Sequence, residues 1–265
     1  MNGNHSTHVH TLGLEEQIVL AIPFVIGLVL YLLSVVHSNR SYSSWPLYRT
    51  NLWILGSVCA LLAVCGPIAT RSHTDFTLHM VGHLLLGMLA PLLMVLAAPF
   101  TLAFRALPVQ HARKLAKLLK SRYIQVISDP IVASILNIGG LWILYTTPLY
   151  NAMHGHPLLH IVIHLHVFLA GYLFTASMIS IDPMPHRTSF TYRGIVLVLA
   201  LAAHGILSKY IYFSPPASVP LNQAEMGGVL MYYGGDAVDI VLIFVFFMQW
   251  YKAVRPRTPF AHESL

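Results

Sequence analysis

The sequence predicts an all-α fold, a polytopic bundle of seven transmembrane helices, and three observations carry that prediction. Hydrophobic residues make up 56% of the 265 residues and charged residues 9%, with a mean hydropathy of +0.68, proportions too apolar for an ordinary soluble domain. Apolar runs of about 20 residues, enough to cross a bilayer as a helix, recur along the chain. The lysines and arginines then sort by the side of the membrane on which alternating helices leave them.

Taken in order, the spans fall near 17–36, 52–70, 76–98, 130–147, 159–181, 193–213 and 226–250. Glu15 and Glu16 precede the first with no Lys or Arg, and no small-residue cleavage site follows it, so it reads as a retained helix and not as a removable signal peptide. Cys59 and Cys65 share the second span. Their six-residue spacing sets them about 120° apart on a helix, which suits neither a redox pair nor a thiolate clamp and leaves packing as their role. Between the third and fourth spans, Leu115, Leu118 and Leu119 stand beside Arg113, Lys114, Lys117 and Lys120, an amphipathic segment at about 105–125 expected on the inner leaflet. Asp129-Pro130 opens the fourth span and Asp182-Pro183 closes the fifth, both helix-boundary pairs. Ser214 to Glu225, with Pro215, Pro216 and Pro220, reads as a short irregular loop. Gly139-Gly140, Gly227-Gly228 and Gly234-Gly235 read as points of close helix packing, a cofactor face on the last helix being the lesser alternative. The chain thus divides into an outer segment 1–16, a helical domain 17–251 and a tail 252–265.

A net charge of +6 raises nucleic acid as a partner, and the positions of the charges exclude it. Arg40, Arg49, the run from Arg105 to Arg122, Arg187, Arg193, Lys252, Arg255 and Arg257 fall on one side of the membrane, leaving Arg71 and Lys209 on the other. The positive-inside rule then expects the N-terminus outside and the C-terminus in the cytoplasm, with membrane lipid as the contact.

Two histidine pairs inside apolar stretches carry the functional reading: His79 with His83, and His160 with His164. Imidazole is costly in lipid and is the commonest metal-ligating side chain. Positions four apart differ by only about 40° around a helix, so each pair projects one way. His166 points away and is left out. With the third and fifth helices running inward, His83 and His164 sit a turn or two below the outer surface, joined there by His204 and by Asp236 and Asp239 of the last helix. His79, His83, His160, His164 and His204 form the candidate metal set. The two aspartates are supporting groups that orient imidazoles, bind a proton or pair with a histidinium. A lone membrane histidine is often just an interhelical hydrogen bond; two pairs at matched depth with acids nearby favour a site. The other half of the bundle offers only His37, His111, His186 and His262, near loops or termini, and His5, His8, His10, His154 and His156 read as solvated. Imidazole suits copper, zinc and iron, and the thioethers Met80, Met226 and Met231 would tilt a site toward copper(I), although packing is their commoner role.

The run His79-Met-Val-Gly-His83, followed by Leu-Ala-Pro91 and Ala98-Pro99, resembles the third helix of the CtaG (caa3-type) cytochrome c oxidase assembly factors. The resemblance extends over nearly the whole chain through the His160/His164 helix, His204 and the stretch from Gly227-Gly228 to Asp236. It implies a seven-span assembly factor of a haem-copper oxidase, in a bacterial inner membrane, that helps copper reach oxidase subunits. The last helix reads Met231-Tyr-Tyr-Gly-Gly-Asp236, where the family pattern leads one to expect a tryptophan after the glycines.

The expected function is therefore copper binding near the outer face and transfer by ligand exchange. No nucleophile with its base, no phosphate loop and no dinucleotide fingerprint supports an enzyme. The rivals are a haem b electron-transfer protein with axial histidines from two helices, which doubled pairs disfavour, and a metal-free scaffold or transporter.

Overall fold

The computed structural model describes residues 5–183 and 186–256, with side chains from residue 13 onward, and within them the chain is helical without a strand. Side chains of His5, His8 and His10, and the whole of Arg257 and His262, lie outside the described residues. Helix α1 runs His5–Ser41, α2 Leu47–Ser72, α3 Phe76–Leu96 and α9 Pro157–Met178, with α10 Phe190–Phe213 and α11 Leu221–Val254 completing six helices long and apolar enough to cross a bilayer. The fourth expected span is a bent pair, α7 Pro130–Thr146 and α8 Leu149–Gly155, turned by 80°. Thr147 and Pro148 make the bend, since Pro148 cannot continue the backbone ladder of α7. Short helices α4 Pro99–Ala106, α5 Val109–Leu119 and α6 Arg122–Ile127 link α3 to α7.

Two departures from regular helix decide how the bundle packs. Pro91, early in the second half of α3, has no N–H to bond the carbonyl of Gly87, and the helix widens into a π turn over Leu85–Leu89 just before it. Gly171 of α9 lies directly against the Gly87 carbonyl; a Cβ there would overlap it. A proline in one helix thus exposes backbone that a glycine in another approaches. The second π turn, Ile135–Gly139, interrupts α7. His166 of α9 donates from Nε2 to Leu136 O within it at 3.0 Å.

Loop chemistry seats the ends. Asp129 caps α7 through Ile131 N at 2.9 Å. The other boundary pair acts differently from expectation: α9 stops at Met178, and Asp182 instead reaches across to cap α4, accepting from Thr101 N at 2.7 Å, Thr101 Oγ1 at 2.6 Å and Phe100 N at 3.1 Å. That cap secures the turn in which Ala98 holds the left-handed conformation, φ 54°. The loop before α11 is shorter than expected, because Pro220 already leads into the helix.

Four apolar clusters fill the bundle, one of them gathering Phe76, Met80, Leu141, Tyr145, Tyr150, Leu207 and Met231 beneath the histidine-bearing end. Met80 and Met231 are buried there as packing residues, and Met226 is exposed. Gly171→Ala tests the crossing: overlap with backbone cannot be relieved by a rotamer, and we expect a loss of about 1–3 kcal/mol. Gly155→Ala, with nothing within 4 Å of its Cβ, should leave the thermal unfolding midpoint in detergent unchanged.

Candidate metal site

The site begins with a break in α2. Gly66 takes φ +78°, a left-handed turn that an L side chain resists, and its N–H donates to Gln17 Oε1 at 3.1 Å while Cys65 Sγ donates to Gln17 O at 3.4 Å. This bond pair pins the head of α1 to α2 and sets the neighbouring Glu16 at the mouth of the bundle. Asp75 caps α3 through Thr77 N at 2.8 Å and Leu78 N at 3.2 Å, so the turn between α2 and α3 is tight and carries His73 to the same mouth.

There Glu16, His73 and His160 come together, with one ligand atom from each within 4.8 Å of the others. Glu16 Oε2 stands 3.2 Å from His160 Nδ1, yet the approach is not aligned as a hydrogen bond and that nitrogen has no hydrogen-bond partner. His73 stacks on His160 with ring centroids 5.0 Å apart and meets His154 edge-on at 5.8 Å. Burial, and then the neighbouring His154, lower the His73 pKa and favour the neutral, ligating imidazole.

Below the mouth the other histidines separate according to what they bond. His164 packs on His160 at 4.1 Å between centroids and places Nδ1 2.9 Å from His160 O, the tautomer that leaves Nε2 as an acceptor. His79 contacts the Tyr145 hydroxyl through Nε2 at 3.1 Å and faces Tyr150 at 5.1 Å. His79, His83, His164 and Tyr145 line one small cavity. His83 turns to His204, centroids 6.3 Å apart, and both line a second cavity with Asp239. His79 and His83 therefore engage different partners despite sharing a helix face. His166 is held by the α7 backbone, and His154 by Tyr150 O at 2.8 Å from its Nδ1.

The two aspartates of α11 also part. Asp239 is buried at 6% exposure, whereas Asp236 lies on the exposed face of the helix. Three residues apart on a helix, their side chains diverge by about 60°.

Sequence reasoning missed Glu16 and His73. Glu16 carried a signal, a carboxylate at the head of an apolar span with no basic neighbour. His73 had none beyond its place before the capping Asp75, because its position depends on a three-dimensional turn.

Fold and site together define a polytopic helical membrane protein with a cluster of imidazoles and carboxylates at one end of its bundle. The chain belongs to the family described as the cytochrome c oxidase caa3 assembly factors, Caa3_CtaG, the match covering residues 29–253. An uncharacterised protein of Mycobacterium leprae is 27% identical over 257 residues, 89% of this chain and 39% of that protein. Uncharacterised proteins of Mycobacterium bovis and Mycobacterium tuberculosis are each 34% identical over 196 residues, 71% of this chain and 28% of theirs. The chain thus spans about a third of the length of these relatives. No solved structure matches it.

Tyr145→Phe tests the polar wall beside His79. Removing the hydroxyl leaves a buried imidazole nitrogen without its partner, and we expect a loss of about 0.5–2 kcal/mol in detergent unfolding.

Proposed function

We propose that this assembly factor binds copper at the mouth formed by Glu16, His73 and His160, with His164 and His79 beneath, and passes it to a subunit of a haem-copper oxidase. One observation carries the reading: α1, the α2–α3 turn and the start of α9 converge two imidazoles and a carboxylate within 4.8 Å, and the His160 nitrogen facing them is buried without a hydrogen-bond partner. Buried polar atoms without partners are rare and point to a ligand, an ion or water. Imidazole and carboxylate are ligands for a first-row metal.

In this reading the mouth faces outward. Basic residues at the opposite helix ends include Arg105, whose guanidinium bonds Ser43 O at 2.6 Å and lies 5.2 Å from the Trp45 ring. By the positive-inside rule they face the cytoplasm of a bacterial plasma membrane. Transfer is ligand exchange: His73, the exposed member of the cluster, lets go first and half-buried Glu16 next, and a partner's ligands replace them one at a time while buried His160 holds the ion. No bond of a substrate is broken, so the activity is that of an assembly factor and not of an enzyme.

Metal analysis of detergent-purified full-length protein from copper-supplemented cells tests this. His160→Ala and Glu16→Ala should each weaken copper binding at the mouth at least tenfold, a change of about 1.4 kcal/mol or more, and should lower the copper content of the oxidase in the same cells. Copper content equal to wild type in both variants and in their oxidase overturns the proposal.

A further inference from the structure

A second site lies deeper, on residues other than those of the mouth cluster just described. His83 on α3 and His204 on α10 are 7% and 4% exposed. Both ring nitrogens of His83 and Nε2 of His204 are buried without a hydrogen-bond partner. A neutral imidazole carries one donor and one acceptor, so His83 leaves its full polar capacity unused inside a membrane bundle, at a cost of about 1–3 kcal/mol per group. A histidine kept for packing alone would find a carbonyl, as His164 and His166 do.

The two rings face a cavity of about 30 Å3, above the roughly 10–15 Å3 that one water-sized particle needs. Met88, Asp239, Asn137 and Thr175 also line it, between walls that include Leu92 and Phe174. Met88 and His204 both flank Gly235: a Cβ there would lie 2.6 Å from His204 Cε1 and 3.7 Å from the Met88 methyl, so the bare backbone leaves room for both groups beside the cavity.

Ligand type, spacing, volume and charge each narrow the occupant. Two neutral imidazoles and a thioether form a soft N,N,S set, which selects copper(I) over hard cations. The ring centroids stand 6.3 Å apart; two imidazoles sharing one ion at about 2.0 Å per bond in a near-linear arrangement bring their centroids to about 6 Å. Axial ligands of a haem would share that spacing, but a porphyrin does not enter a cavity of about 30 Å3. A hydrated ion is also too large. One buried carboxylate, Asp239, balances one positive charge, whereas a divalent ion would leave an uncompensated charge in a low dielectric.

We propose that His83, His204 and Met88, with Asp239 as the balancing charge, form an inner site for a desolvated monovalent soft cation, copper(I), separate from the mouth. His83 lines both this cavity and the one beneath the mouth, which makes it the hinge of a two-step path. The inner site deepens the copper reading above but stands on its own residues.

Anaerobic titration of detergent-purified full-length protein with copper(I) against a chromophoric chelator tests it, joined to X-ray absorption at the copper edge. Wild type should bind about two equivalents with sulfur scattering, and His204→Ala or His83→Ala about one. Met88→Leu, close in volume and safe for folding, should abolish the sulfur scattering. His160→Ala should keep the sulfur-ligated equivalent and lose the other. Two equivalents retained in His204→Ala, or sulfur scattering retained in Met88→Leu, overturns the inner site and leaves the mouth reading intact. Loss confined to the inner variants overturns the mouth reading and keeps the inner one. A wild-type protein that binds no copper(I) overturns both.

Discussion

The arrangement of this molecule depends on one backbone contact, Gly171 of α9 against the Gly87 carbonyl of α3. Pro91 withholds the N–H that a regular helix would give that carbonyl, the π turn over Leu85–Leu89 takes up the misfit, and a residue without a Cβ fills the space. His83 lies four residues from the crossing and His164 seven, about 6 and 10 Å along their helices. Both histidine-bearing helices are thereby held at fixed depth relative to each other, and α10 and α11 close the other side with His204 and Asp239. Moving the crossing by one turn would separate His164 from His79 and His83, with which it now shares a cavity.

Within that frame, the hydrogen-bond inventory sorts the histidines more sharply than helical phase does. His166 and His154 are tied to backbone carbonyls, His79 to Tyr145, and His164 spends one nitrogen on its own helix. Nitrogens without partners remain on His160, His83 and His204. In a medium that offers no water, such atoms are retained against a cost, and they lie at the two places proposed for a ligand. The one shared site expected from helical phase is thus replaced, in the proposed reading, by a mouth and an interior, with His83 lining the cavities of both.

The opposite end of the molecule follows a different logic. Arg193, buried at 3% exposure, donates to Met178 O at 2.8 Å and lies 4.3 Å from the Phe190 ring. Asp182 caps α4. These polar groups close helix ends and hold a left-handed turn, so their charges are structural.

The sequence alone determined the fold class, because apolar runs of bilayer length admit almost no backbone structure other than helices. It also gave the candidate histidine pairs, since four-residue spacing fixes a shared face. Tertiary structure decided the rest. The bend at Pro148 turned Leu149–Gly155 away from the fourth span by 80°. Asp182 left its own helix end to cap another. Glu16 and His73 came to the mouth because a glycine broke α2 and a glutamine pinned α1 across it. Met88 and His204 came to line one cavity beside the bare backbone of Gly235. Each outcome rests on a contact between residues far apart in the chain, and no local period encodes which nitrogen of a histidine will find a partner.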